Sequence, residues 1–190
     1  MGSWIIAGLG NPGSQYEGTR HNVGFWLLDQ LARDLGVNFT VQNRYHGELV
    51  QCSLDGHKVF LLKPLTFMNR SGQSVALLAN FFKIPLENIL VIHDELDLSP
   101  GTVKLKRDGG HGGHNGLRDI IAQTGGKQFL RCRLGIGHPG HSKLVSDYVL
   151  SKPSPTDRQQ IEQAIDNVLR ILPEVLSGNM DKAMNWLHSQ

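Results

Sequence analysis

The sequence is poor in several features that would each have indicated a particular class of protein. It has only two cysteines among 190 residues and no C-x-x-C pair, so it predicts neither a disulfide framework nor a cysteine-based zinc site. No apolar run approaches the roughly 20 residues that a membrane-spanning helix needs. The first residues also lack the basic and apolar segments of a secretory signal. We therefore expect a cytoplasmic protein.

Motifs of covalent and metal-dependent catalysis are missing too. The chain has no G-x-S-x-G nucleophile elbow and no H-E-x-x-H zinc motif. Neither Cys52 nor Cys132 lies in a recognisable nucleophile signature, which favours direct attack by water without a covalent intermediate. A metal-dependent hydrolase stays an alternative, because six residues offer oxygen or nitrogen ligands: His93, Asp94, Glu95, Asp97, His111 and His114.

Charge is unevenly distributed along the chain, although the net charge is only +2. Residues 101–143 contain eight lysines and arginines and two aspartates, so this segment carries +6 and the remainder carries −4. A basic segment of this kind is suited to binding phosphate groups. A solvated surface that binds nothing would have the same composition.

Strand-like and helix-like patterns alternate along the chain, which predicts the α/β class with a parallel or mixed sheet. The length suits one domain over residues 1–190. The pair Asp55-Gly56 between two strand-like runs predicts a hairpin, and hence at least one antiparallel strand pair. The expected strands are Trp4–Leu9, Glu48–Leu54, Lys58–Lys63, Ile89–His93, Thr102–Lys106 and Arg131–Ile136. The expected helices are Val23–Leu35, Ser71–Phe82, Leu117–Gln123, Thr156–Leu176 and Met180–Leu187.

The stretch GLGNPG at residues 8–13 matches the G-x-G-x-x-G fingerprint of dinucleotide-binding folds. That fingerprint requires a helix to begin at its third glycine, whereas here a polar loop continues to about Asn22. The acidic residue expected about 20 positions further on is also missing. The loop therefore predicts a ligand-facing surface at the end of a strand, rather than a dinucleotide site, and this surface carries Asn11, Tyr16, Arg20, His21 and Asn22.

Polar side chains follow several of the expected strands, where ligands of open α/β sheets bind. Among them, His21 and Asp94 have the chemistry of a general base and the carboxylate that orients it. The side-chain amides of Asn11, Asn69 and Asn115 are able to donate to a carbonyl oxygen or an oxyanion. Each residue also has a simpler interpretation: His21 and Asp94 as caps or surface groups, and Asn69 as the N-cap of the helix from Ser71.

Five stretches together resemble bacterial-type peptidyl-tRNA hydrolase over nearly the whole chain. They are GLGNPGSQYEGTRHNVGF, LLKPLTFMNRSG, HDELDLSPG, GGHGGHNGLRDI and RLGIGHPG, in that order. The resemblance implies a twisted mixed sheet flanked by helices, and a monomeric enzyme without metal or other cofactor. It implies hydrolysis of the ester between a peptide and the 3′ ribose of tRNA, which recycles tRNA from aborted translation. A non-catalytic RNA-binding relative is the alternative on the same fold.

The resemblance also implies roles for residues that match the motifs of the family. His21 matches the catalytic base and Asp94 its partner, and Asn11 and Asn69 match asparagines of the reaction centre. Substrate-binding roles in the peptide and 3′-end cleft fall to Tyr16, Met68, Asn69, His114 and Asn115. Lys106 and one arginine match groups that meet the tRNA 5′ phosphate. Because the loop TGGKQF is short, either Arg131 or Arg133 fits that position, and we expect Arg133.

Overall fold

Nearly continuous apolar runs form the central strands of one mixed sheet at the centre of the molecule, for which a computed structural model describes residues 2–190. Within those residues, seven strands lie in the order β2-β3-β4-β1-β5-β7-β6. The strands are β1 (Trp4–Gly8), β2 (Thr40–Gln42), β3 (Gly47–Leu54), β4 (His57–Pro64), β5 (Ile89–Glu95), β6 (Val103–Arg107) and β7 (Leu130–Gly135). The central strands β4, β1, β5 and β7 are parallel, and β2, β3 and β6 add antiparallel edges, which confirms the expected mixed sheet.

Helices cover both faces of the sheet, as an α/β fold requires. The helices are α1 (Val23–Leu35), α2 (Ser71–Phe82), α3 (Asn115–Thr124), α4 (Val145–Val149), α5 (Pro155–Leu176) and α6 (Met180–His188). Alternate residues of β1 enter opposite cores: Ile6 packs with α1, α5 and α6, whereas Ile5 packs with α2 and α3. The side-chain period of two along a strand produces this division.

Most of the expected elements form with boundaries close to the prediction. The bounds of α1 and α2 agree to the residue, and the hairpin forms at Asp55 and Gly56 with φ of 51° and 82°, as its turn requires. Two elements were not predicted: β2 is three exposed residues, and α4 is five residues long. Both are too short to show a period, and tertiary contacts decide whether they form.

The antiparallel pairing of the edge strand β6 with β7 determines the path of the glycine-rich loop. Arg107 at the end of β6 lies opposite Leu130 at the start of β7, so β6 ends at the edge remote from the carboxyl ends of the parallel strands. The loop of residues 108–114 therefore runs back across the sheet before α3 begins. This path brings His114 to the same edge as the end of β5.

The helices of residues 2–190 include none that combines the length and the apolar character needed to cross a membrane.

Candidate active site

A cleft of about 710 Å³ opens at the carboxyl ends of the parallel strands. Its walls come from the loops after β1, β4 and β5, from the glycine-rich loop, and from residues 142–150. His21, Asp94 and three asparagines, Asn11, Asn69 and Asn115, all contribute to these walls. The topology thus brings together the polar groups that the sequence placed after separate strands.

His21 and Asp94 form the expected pair. Nδ1 of His21 lies 2.7 Å from Oδ2 of Asp94, so its proton is donated to the carboxylate and Nε2 is left for water. Asp94 is almost fully buried at the end of β5, whereas the His21 side chain is 14% exposed to solvent. His21 reaches this position from a short 3-10 turn before α1. Gly24 lets that helix approach the sheet, because a Cβ there would lie 2.5 Å from the backbone nitrogen of Leu9. The interpretation of the two residues as simple caps is therefore wrong.

His114 binds the other oxygen of the same carboxylate. Its Nε2 lies 2.8 Å from Oδ1 of Asp94, and its Nδ1 accepts hydrogen bonds from the backbone N–H groups of Gly116 and Leu117. The ring is thus the N-cap of α3. Because Nδ1 accepts from the backbone, the proton of the neutral ring resides on Nε2 and is donated to Asp94. The helix start fixes the tautomer, a contact that sequence reasoning missed.

Burial and neighbouring charge shift the pKa values of Asp94 and His21 in opposite directions. Burial favours the neutral carboxyl, but the two imidazoles and their hydrogen bonds hold the pKa of Asp94 far below its usual range. Burial lowers the pKa of His21, yet the charge of Asp94 and its hydrogen bond outweigh this and raise the pKa above 6.5. His21 is therefore a stronger base than a free imidazole.

Asn11 is held in place by neighbouring backbone. Its Oδ1 accepts from the N–H of Met68 at 2.7 Å, and its own N–H and carbonyl bind the side chain of Asn22, both at 2.9 Å. Asn11 is 8% exposed and Met68 is 4% exposed. With the oxygen engaged, the amide nitrogen of Asn11 is the group that faces the cleft as a donor.

Asn69 and Asn115 are exposed residues of the cleft wall. Asn69 belongs to a 3-10 turn over Met68–Arg70, and Arg70 occupies the N-cap position of α2 without a side-chain cap, so Asn69 as that N-cap is wrong. Oδ1 of Asn115 accepts from Arg118 at 3.0 Å, which turns its amide nitrogen outward. Tyr16 does not itself line the cleft, but its ring packs edge-on against Phe67 of the cleft wall, with ring centroids 6.4 Å apart.

A basic groove of about 360 Å³ adjoins the cleft and shares His93, Glu95 and His111 with it. The register of β6 and β7 places Lys104 opposite Arg133 and Lys106 opposite Arg131 on one face of the sheet. Lys106 is exposed, and Arg133 is partly exposed and bonded to Glu95 at 2.9 Å.

Arg131 also lines this groove, but its guanidinium is used for hydrogen bonds within the protein. It is 2% exposed, and its guanidinium donates to the carbonyls of Gly109, Gly110 and Lys127. It thereby holds the glycine-rich loop that carries His114. Of the two arginines left open by the sequence, Arg133 is therefore the one whose charge is accessible from the groove.

His21, Asp94 and His114 are also a set of potential metal ligands, since their ligating atoms lie within 4.8 Å of one another. The same atoms bind each other at 2.7 and 2.8 Å. A divalent ion held by all three would therefore replace both hydrogen bonds.

The chain is similar to known proteins over nearly its whole length. The family model described as Peptidyl-tRNA hydrolase matches residues 5–190. The chain is 54% identical to a peptidyl-tRNA hydrolase of Halorhodospira halophila, over 97% of this chain and 95% of that protein. It is 56% identical to one of Pseudomonas putida, over 98% and 96%. The crystal structure of a peptidyl-tRNA hydrolase from Acinetobacter baumannii aligns with a TM-score of 0.95 at 46% identity, over 98% and 95% of the two chains.

Proposed function

The chain belongs to the peptidyl-tRNA hydrolase family and hydrolyses peptidyl-tRNA, and we propose that His21 is the general base of this reaction. The observation that carries the proposal is the 2.7 Å bond from Nδ1 of His21 to Asp94, at the wall of a cleft that three asparagines also line. It orients Nε2 as an acceptor for a proton of water. The bond that breaks is the ester between the peptide and the 3′ oxygen of the terminal ribose.

The proposed steps need groups of this chain and water only. Nε2 of His21 takes a proton from water as the water oxygen attacks the ester carbonyl, and Asp94 stabilises the imidazolium that forms. Asn69, together with the amide nitrogen of Asn11, donates to the developing oxyanion. The tetrahedral intermediate then collapses, and the imidazolium returns the proton to the departing 3′ oxygen. The products are a peptide acid and tRNA with a free 3′ hydroxyl.

Substrate binding is proposed to divide between the cleft and the basic groove. In the cleft, Met68 and Tyr16 shape the surface for the peptide and the 3′ end, and Asn115 contacts the peptide. His114 contributes through Asp94. Lys106 and Arg133 bind phosphate of the acceptor stem, and contacts of that kind depend on shape and charge more than on base sequence.

The test is release of an N-blocked aminoacyl group from tRNA under single-turnover conditions. We expect His21→Ala to lower the rate by about 10²–10⁴-fold, with tRNA affinity unchanged, because the general base is removed. His188→Gln is a matched control, since His188 is an exposed histidine on α6 that lines neither the cleft nor the basic groove. Normal turnover by His21→Ala would contradict the assignment.

A metal-dependent hydrolase is the second candidate, favoured by the three-residue ligand set. The two candidates differ in their response to a chelator. Water activation by His21 and Asp94 alone predicts full activity after dialysis against EDTA and no increase with added Zn²⁺. Activity that disappears with EDTA and returns with a divalent cation would instead support the metal.

We further propose a monomer that acts in the cytoplasm as a single domain. The groups placed in the cleft and the groove all come from one chain, so a monomer has a complete site. Light scattering coupled to size-exclusion chromatography tests the oligomeric state: a molar mass near 21.0 kDa is expected, and twice that mass would contradict it.

A further inference from the structure

Arg20, the residue before His21, is a buried arginine whose charge is used within the protein. It is 9% exposed. Its Nη1 donates to the hydroxyl of Ser151 at 2.5 Å and to the carbonyl of Tyr148 at 3.0 Å. Its guanidinium carbon lies 3.8 Å from the centre of the Tyr148 ring, and its backbone N–H donates to the carbonyl of Ser151 at 3.1 Å. One residue thus binds the 148–151 turn through side chain and backbone together.

The turn that Arg20 binds ends a segment forming one wall of the cleft. We name residues 142–151 the wall segment; it contains α4 and lines the cleft with Val145, Ser146, Val149 and Leu150. Its residues are mostly exposed, and few are buried in the core. A second attachment comes from the Tyr148 hydroxyl, which donates to the carbonyl of Ile136 after β7 at 2.7 Å.

We propose that Arg20 is a positioning residue that fixes the wall segment relative to His21, and so sets the width of the cleft for the substrate. The inference rests on the proposed role of this cleft in peptidyl-tRNA hydrolysis. A short segment with little buried apolar surface is easily displaced unless specific bonds hold it. The bonds are charge-assisted, and the planar guanidinium stacks on Tyr148 while it donates to Ser151, a combination that lysine does not reproduce.

The proposal predicts a specific kinetic change. Arg20 contacts the wall segment rather than the ester or the water, so its loss weakens binding of the ground state and transition state alike. We therefore expect Arg20→Met to raise KM by about tenfold with kcat changed less than about twofold. Arg20→Lys, which keeps the charge but not the stacked fork, falls between Arg20→Met and the wild type. A role confined to fold stability would reduce the active fraction and lower the apparent kcat, but would leave KM unchanged.

The experiment measures kcat and KM on N-blocked aminoacyl-tRNA for Arg20→Met, Arg20→Lys, Ser151→Ala and the double variant Arg20→Met/Ser151→Ala. Arg158→Gln is the matched control, because Arg158 also stacks on an aromatic ring, that of Trp26, and bonds to Glu162, but lies away from the cleft. Hydrogen exchange of the 145–151 amides is measured on the same proteins. Loss of turnover in His21→Ala, measured in the same assay, establishes that the proposed function itself holds, and Arg158→Gln should turn over as the wild type does.

The expected result has three parts. KM rises in the single variants, exchange of the 145–151 amides becomes faster while exchange in β1 and β5 is unchanged, and Ser151→Ala adds nothing further once Arg20 is replaced. An unchanged KM in both Arg20→Lys and Ser151→Ala would overturn the proposal, even if Arg20→Met does not fold. Fully additive effects of Arg20→Met and Ser151→Ala would overturn it too.

Discussion

His114 and Asp94 are joined by a 2.8 Å bond from Nε2 to Oδ1, so the buried carboxylate is shared between two imidazoles. One imidazole is free at Nε2 to work as a base, and the other is locked by its place at the start of α3. The hydrogen bond from His114 restrains the carboxylate of Asp94 and stabilises part of its negative charge. The pair proposed to be catalytic is therefore part of a three-residue arrangement, in which His114 bonds to the same carboxylate that acts on His21.

His114→Asn separates the two roles of His114. Asparagine is a good N-cap, so its oxygen replaces Nδ1 at the start of α3, but its side chain is too short to donate to Asp94. With one donor lost, the carboxylate charge acts more strongly on His21 and raises its pKa further. We expect the acid limb of kcat/KM to move to higher pH in His114→Asn, with little loss of thermal stability. An unmoved limb would show that His114 has no influence on the pair.

The pH dependence of the wild type follows from the raised pKa of His21. The base must be neutral, so kcat/KM falls about tenfold per pH unit below that pKa. Asp94→Asn removes the charge that raises the pKa and leaves the burial that lowers it, so the limb moves to lower pH. The plateau rate of this variant drops by about a hundredfold or more, because the imidazole loses its orientation. If the acid limb of kcat/KM does not move in Asp94→Asn, then Asp94 does not raise the pKa of the catalytic base.

The basic residues of the groove are predicted to affect different kinetic constants, depending on whether their charge is accessible or buried. Lys106→Ala and Arg133→Ala each remove a charge proposed to bind phosphate, so we expect KM to rise and its salt dependence to become less steep by about one unit of logarithmic slope. Arg131→Lys instead loosens the loop that carries His114, so kcat falls and the salt slope is unchanged. Steady-state kinetics between 50 and 200 mM salt, an experimental range of about fourfold, distinguishes them. An unchanged KM in both alanine variants would place the docking surface elsewhere.

Glu95 offers a control for that interpretation, because it is the partner of Arg133 at 2.9 Å. Burial raises the pKa of Glu95, but the hydrogen bond from Arg133 outweighs this and lowers it, so Glu95 is charged at neutral pH. Glu95→Gln removes a charge that repels phosphate and frees Arg133, and we expect a lower KM at low salt. A higher KM would mean that Glu95 is needed to orient Arg133.

His93 gives a stability prediction that is independent of turnover. Its Nδ1 donates to the carbonyl of Asp94, and burial, with a smaller contribution from the neighbouring His114, lowers its pKa to about 4. The unfolded chain binds a proton at about pH 6.5 and the folded one does not. His93 therefore lowers the free energy of unfolding as pH falls from about 6.5 to about 4.

Urea unfolding at pH 5 and pH 7 tests whether the free energy of unfolding falls with pH in this direction. In His93→Asn the side chain keeps a donor for the carbonyl of Asp94 but does not titrate. Its stability difference from the wild type should therefore shrink between pH 7 and pH 5. Titrating groups that do not interact with His93 are common to both proteins and cancel in this comparison. A difference that is the same at both pH values would contradict the lowered pKa.

The sequence predicted the strands and helices whose apolar residues show a clear period, and it missed β2 and α4, which are too short for one. It predicted that His21 and Asp94 meet, because polar residues after parallel strands share one edge of the sheet. It did not reveal that His114 joins them or that Arg20 and Arg131 hold the surrounding segments. Those contacts depend on how a loop crosses the sheet and how a wall segment folds back.

Residue types and their order along the chain thus determined the class of fold, the chemistry available and the family. Tertiary structure alone decided which oxygen of Asp94 each imidazole binds, which arginine is buried and which faces the groove. The physical reason is that local sequence controls backbone conformation and the side chains on offer. Hydrogen-bond partners are chosen by packing between segments as far apart as residues 20 and 151.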